Sequence, residues 1–208
     1  MPVVDSVESD DHTKILVWEV TEPEEVLLKT LELSTEDMKK YTRLTPKRQK
    51  EFLGVRCSLK NLGLPLDVRH DAKGKPFLEK GRNISISHAH ERVAVASSSH
   101  LIGIDIERLK PGKILNLRKK FLRNDETAFI EPKYEVDQLH IFWGIKESLY
   151  KLHGGGLPSL LEHYKVNPFS INDSYIKCWI IEDSYSKSFW AHHKKTENYQ
   201  LIYIIDHE

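Results

Sequence analysis

The chain has 208 residues, enough to bury one large or two small cores without disulfide or metal staples. Lysine plus arginine and aspartate plus glutamate both number 31, so the formal net charge is zero, which excludes a general affinity for nucleic acid or membranes but not a local basic patch. A hydrophobic fraction of 39% and a charged fraction of 30% fit a globular chain, and no apolar run reaches the length of a membrane span.

The start, MPVVDSVESDDHTK, is acidic and lacks an apolar segment, so no signal peptide is expected. Cys57 and Cys178 make no CxxC pair, which argues against a disulfide framework or zinc ribbon and for a reducing compartment. KILVWEV (14–20) is predicted as a strand, and PEEVLLKTL (23–31) as a helix opening on proline and acids. Thr45-Pro46 precedes an amphipathic helix over 47–63, with Phe52, Leu53, Val55, Leu59 and Leu62 inside and Gly63 as its stop. DAKGKPFLEKGR (71–82) is rich in turn residues. Strands follow around NISISHA and RVAVASSS, and then IGIDIERLKP (102–111), whose Ile102, Ile104 and Ile106 mark a buried side. A helical region opens at PGKILNLRKKFL (111–122) and continues in NDETAFIE, with Asn124 or Asp125 as cap. A long helix is predicted from Val136 to Leu152, stopped by Gly154-Gly155-Gly156, and the tail reads as two or three strands with polar turns. Strand, helices, strands thus occurs twice. The order predicts an α+β protein with a division near residues 107–113.

Asp105 and Glu107 fall opposite the isoleucines. Side by side, they repel, and a hard divalent cation such as Mg²⁺ would offset that while keeping waters or phosphate oxygens as further ligands. The ordinary alternative is a strand leaving its sheet with both acids solvated. In FWGIKESLYKLHGGG (142–156), Glu147 and Lys151 share a helix face, while Lys146 diverges from it. Here a plain surface ion pair competes with a third metal ligand beside a proton acceptor or phosphate contact. Gly74 allows close approach of a ligand, Lys75 offers a point charge, and Ser87 and His88 offer a hydroxyl and an imidazole. The competing reading is a lysine-rich turn before a strand with a partly buried histidine. His88 and His90 lack an HExxH context or a nearby third soft ligand, so zinc is not expected. Arg43, Lys47, Arg48, Arg56 and Lys60 make a basic region, either a solvated face or a receptor for a nucleotide's terminal phosphate. P-loop, dinucleotide and GxSxG signatures are absent from the sequence.

Taken in order, Gly74-Lys75-Pro76, Ser87-His88, Gly103-Ile104-Asp105-Ile106-Glu107 and Trp143-Gly144-Ile145-Lys146-Glu147-Ser148-Leu149-Tyr150-Lys151 resemble the 4'-phosphopantetheinyl transferase superfamily, in particular its larger, surfactin-synthetase-activating type. KFLRNDE (120–126) resembles the family's segment between the acidic motifs, and GGGLPSLLEHYKV (154–166) its continuation after the long helix. Gly144 departs from the pattern, where members usually carry Ser, Cys or Thr.

The resemblance implies two pseudo-symmetric α+β halves, 1–106 and 107–208, with coenzyme A as co-substrate in the cleft between them. It implies transfer of the phosphopantetheine arm to a serine of an apo acyl or peptidyl carrier protein, with release of adenosine 3',5'-bisphosphate. Mg²⁺, with Mn²⁺ as the alternative, would be held by Asp105, Glu107 and Glu147. Gly74, Lys75, Pro76, Ser87 and His88 would bind coenzyme A, with Arg48 or Arg56 at its 3'-phosphate. Glu147 and Lys151 both remain as the base that deprotonates the serine. Carriers of this kind are acidic, so Lys113 to Lys120 becomes the expected docking face. A cytoplasmic monomer with no nucleic-acid or membrane partner completes the expectation. Two alternatives stand beside it: a non-catalytic coenzyme A or carrier-binding module, and a Mg²⁺-dependent pyrophosphate hydrolase using water.

Overall fold

The computed structural model describes residues 3–9, 12–79 and 81–207. A hairpin of β1 (Val3–Ser9) and β2 (Thr13–Glu19) leads into α1 (Glu24–Thr30), α2 (Thr35–Tyr41) and α3 (Pro46–Asn61). β3 (Arg69–His70), β4 (Pro76–Phe77), β5 (Asn83–Ala89) and β6 (Arg92–Ser98) complete an antiparallel sheet in the order β1-β2-β6-β5-β4-β3. β7 (Leu101–Arg108) then opens a second sheet. It is followed by α4 (Pro111–Leu117), a 3₁₀ turn over Arg118–Lys120, α5 (Asn124–Thr127), α6 (Glu135–His153), β8 (Tyr164–Val166), β9 (Tyr175–Glu182), β10 (Tyr185–Thr196) and β11 (Tyr199–Asp206), with strand order β7-β11-β10-β9-β8.

The small and branched residues of β6 explain how the layers meet. Val93 and Val95 face the cluster under α3, which includes Leu53, Val55 and Leu59. Ala94 and Ala96 face the other way and join Ile15 and Val17 of β2 against Ile102, Ile104 and Ile106 of β7. Every one of these three isoleucines is buried, and each contributes about 1.5–3 kcal/mol through its burial. Ser85 Oγ accepts the Ile104 N–H at 3.0 Å, so β5 and β7 run alongside each other although they belong to different sheets.

α6 carries acids Glu135 and Asp137 in its first turn and ends on Gly154 in the left-handed conformation, φ 80°. Its apolar side, with Leu139, Phe142, Ile145 and Leu149, packs on Ile202 and Ile204 of β11 and Ala191 of β10. The long helix and strands β7, β9, β10 and β11 therefore lie where the sequence predicts them, while β8 was not predicted. β1 and α2 were not predicted. α2 depends on Ser34, whose Oγ accepts the Asp37 N–H at 3.0 Å, and β1 depends on pairing with β2. The helical region expected over 111–122 is shorter, because α4 gives way to the 3₁₀ turn at Arg118. The division expected after residue 106 falls inside β7, which stays paired with β11 out to Arg108–Tyr199. Among the described residues, no helix is long and apolar enough to cross a membrane.

Candidate active site

A glycine sets the distance between β7 and α6. A Cβ added to Gly103 would lie 1.9 Å from the Ser148 carbonyl oxygen, so the helix rests directly on the strand backbone. Asp105 and Glu107 follow Gly103 on the same face of β7 and come under the same helix. Trp143, Glu147 and Lys151 recur every four residues along α6 and form the stripe beside them.

Asp105 is almost fully buried. Its Oδ1 accepts from Ser87 Oγ at 2.8 Å and from Lys151 Nζ at 2.7 Å. Lys151 Nζ also donates to Ser87 Oγ at 2.9 Å and to the Ile104 carbonyl at 3.0 Å. The positive charge next to Asp105 is therefore Lys151. Glu107 Oε1 accepts the indole N–H of Trp143 at 3.1 Å. Burial raises the Glu107 pKa, and the Asp105 charge adds to the shift. Glu147 is pushed up to about 7 by burial and then by Asp105, with Lys151 opposing and Glu107 adding a smaller push. These mutual effects place all three carboxylates in one electrostatic neighbourhood.

Among the described residues, no three Asp, Glu, His or Cys side chains close in tightly enough to cage an ion by themselves. Asp105 Oδ2, however, is buried without a hydrogen-bond partner, a costly arrangement for a carboxylate oxygen. Hard oxygen donors with one orphaned atom fit a Mg²⁺-like ion that draws its other ligands from phosphate or water.

The turn at Gly74, φ 84°, is tied by Asp71 Oδ1, which accepts the N–H groups of Lys73 at 2.8 Å and Lys75 at 2.9 Å. Lys75 Nζ reaches across to the Leu152 carbonyl near the end of α6, 2.8 Å away, and burial lowers its pKa. Gly74, Lys75 and Pro76 line a narrow cavity of about 150 Å³ together with Tyr150 and Lys151. Ser87 belongs to the Asp105–Lys151 cluster. His88 is exposed, with Nδ1 3.5 Å from Glu51 Oε1.

The two arginines expected at a terminal phosphate are placed differently. Arg48 is exposed on the first turns of α3. Arg56 is buried, 3.1 Å from Asp37 Oδ1 and 3.5 Å above the Phe52 ring, so its charge is consumed between α3 and α2. A wider cavity of about 460 Å³ lies instead beside Lys47, Lys50, Glu51, His90 and Lys110. Of these, only Lys47 stood among the basic candidates in the sequence. Trp143 as the partner of Glu107, and Tyr150 as a wall of the narrow cavity, were also missed. The four-residue recurrence of Trp143, Glu147 and Lys151 is the signal that identifies the first. In the expected docking stretch Lys113, Lys119 and Lys120 are exposed, and Arg118 pairs with Glu135 at 3.0 Å.

Comparison with known proteins finds relatives of this chain. A 4'-phosphopantetheinyl transferase of Bacillus subtilis is 29% identical over 139 residues, covering 64% of this chain and 60% of that protein. The 4'-phosphopantetheinyl transferase gsp of Aneurinibacillus migulanus is 36% identical over 92 residues, covering 43% and 38%. The 4'-phosphopantetheinyl transferase Sfp of Bacillus subtilis strain 168 is 30% identical over 145 residues, covering 61% and 64%. The matched region is less than two thirds of each relative's length. The family model of the 4'-phosphopantetheinyl transferase superfamily matches residues 101–204, which begin with the acidic strand and take in the whole Trp143–Lys151 stripe; the chain belongs to that superfamily.

Proposed function

We propose that this protein transfers the 4'-phosphopantetheine arm of coenzyme A to a serine of an apo acyl or peptidyl carrier protein, releasing adenosine 3',5'-bisphosphate. The observation that carries this reading is the orphaned Asp105 Oδ2 beside Glu107 and Glu147, within the region that matches the family. Asp105, Glu107 and Glu147 would hold Mg²⁺, or Mn²⁺ in its place. Bound there, the ion supplies positive charge where the pyrophosphate oxygens become more negative.

The serine oxygen attacks the phosphorus that bears pantetheine, and the bond from that phosphorus to the bridging oxygen breaks. The serine proton goes to the protein, and the bridging oxygen leaves with the adenosine bisphosphate. The geometry favours Glu147 as the proton acceptor. Lys151 Nζ has three acceptors around it, which engage all three N–H bonds of an ammonium and leave no lone pair. Lys151 then acts as the cation that orients Asp105 and Ser87. Lys75 needs only to exchange one backbone carbonyl for a phosphate oxygen. Lys47, Lys50 and Lys110 around the wider cavity are better candidates for the 3'-phosphate than Arg56. His88 and Arg48, both exposed, remain open to it.

Ser87 from β5, Asp105 from β7 and Lys151 from α6 meet within one chain, the arrangement that a monomer would need. Cys57 and Cys178 are buried free thiols, which suits the reducing cytoplasm. The test is the intact mass of an apo acyl carrier protein incubated with coenzyme A, Mg²⁺ and the protein. A gain of one phosphopantetheine that chelator abolishes is expected. No gain across several acyl and peptidyl carriers would favour a binding module, and release of phosphopantetheine without a carrier would favour a hydrolase.

A further inference from the structure

Lys146 and Glu126 form an ion pair whose side chains are both 0% exposed. Lys146 Nζ lies 2.7 Å from Glu126 Oε2 and 2.6 Å from the Phe121 carbonyl oxygen. The same carboxylate accepts the Arg123 N–H at 2.9 Å and, through Oε1, the Val166 N–H at 2.8 Å. One buried pair thus fastens α6, the 121–126 segment and β8 together. Trp143, one turn before Lys146, grips that segment a second time. Its indole sits edge-on to the Phe121 ring at 5.3 Å while its N–H holds Glu107.

A buried ion pair is a poor device for stability alone, because the desolvation of two charges offsets much of their attraction. What it supplies is a fixed geometry, since Lys146 Nζ reaches two specified acceptors and the Glu126 carboxylate receives three specified donors. Its location gives that geometry a use. Lys146 directly precedes Glu147, and the segment it holds follows the exposed Lys119 and Lys120, with Arg118 before them paired to Glu135.

We infer that the Lys146–Glu126 pair is a positioning element that registers the basic 118–123 surface against the catalytic carboxylates, so that an acidic carrier docked there delivers its serine to Glu147. The inference rests on the transferase reading. Coenzyme A, which the narrow and basic cavities would hold, does not depend on this brace.

The test combines Lys146→Met with Glu126→Gln, which removes both charges and avoids stranding either one. The carrier KM is expected to rise about ten-fold. The coenzyme A Kd should change by less than about two-fold, because its groups lie apart from the pair. An unchanged carrier KM in the folded, active variant overturns the inference. So does an equal loss in both ligands, which would mean general loosening. A second measurement needs no variant: amide hydrogen exchange over residues 118–127 of the unaltered protein. Slow exchange at Arg123, comparable with α6, is expected, and exchange at the rate of an open loop overturns the brace. Absence of transfer by the unaltered protein to any carrier would instead bring down the transferase reading, while the exchange result would still decide whether the brace exists.

Discussion

Replacing Gly103 with alanine is the sharpest test of how the site is assembled. The new methyl would meet the Ser148 carbonyl oxygen at 1.9 Å, its carbon at 2.9 Å and Leu152 Cβ at 3.0 Å. Two of these are backbone atoms of α6 and cannot rotate aside. Normal van der Waals separation requires β7 and α6 to part by roughly 1.5 Å. Overpacking of this kind costs about 1–3 kcal/mol, and a backbone clash belongs at the upper end. For a chain of this size, about 3 kcal/mol lowers Tm by roughly 6–12 °C. The same displacement would pull Asp105 and Glu107 away from the α6 stripe and break the 2.7 Å contact between Asp105 and Lys151. A misplacement near 1 Å can cost about a hundred-fold in turnover. Gly144→Ala is the control. There the added methyl meets Ile202 Cδ1 at 2.2 Å, the free end of a side chain, and a rotamer change relieves the contact. Thermal unfolding and carrier-mass progress curves on both variants decide the matter. A Gly103→Ala protein with native Tm and turnover, or one no worse than Gly144→Ala, would refute the claim that this glycine sets the gap.

Three further outcomes follow from the side-chain partners. Burial and the neighbouring carboxylates raise Glu147 to about 7 in the metal-free protein, and a bound cation lowers it again, so turnover that needs its carboxylate should rise with pH along an acid limb that lies below about 7. Stability should run the other way. The folded state keeps a proton that the unfolded chain releases near its ordinary value of about 4.3, so this contribution is present below that range and lost as pH rises through about 7. Millimolar Mg²⁺ should therefore raise Tm more at about pH 8 than at about pH 5.5, and a gain independent of pH would contradict the carboxylate site. Lys151→Met should lower turnover yet keep the acid limb of the pH profile, whereas loss of that limb would make Lys151 the base. Arg56→Met should cost about 3 kcal/mol, because the buried Asp37 keeps, among the described residues, only Lys40, 3.8 Å away, while the coenzyme A KM moves by less than about two-fold. A large KM increase with unchanged Tm would return Arg56 to the phosphate site.

What the sequence revealed and what it concealed differ by the range of the interaction. The alternation in IGIDIE announced two faces for β7, and each is used: isoleucines on the first sheet, acids under α6. The period of the long helix and its glycine stop were equally plain, because both are local. The burial of Arg56 was concealed because its partner, Asp37, lies 19 residues upstream in a helix whose cap gave only a weak signal. Lys146 was seen to diverge from Glu147. Whether that meant solvent or core depended on Glu126, 20 residues away.

The motif residues divide accordingly. Asp105, Glu107 and Glu147 carry charge, and a charge suggests chemistry wherever it stands. Gly103, Trp143 and Lys146 hold distances: one lets a helix touch a strand, one links Phe121 to Glu107, and one fixes a segment against α6. A residue that holds a distance has no evident role until the atom at its other end is known. The pattern WGIKESLYK therefore points to its carboxylate at once, and only the fold explains why tryptophan and lysine stand before it.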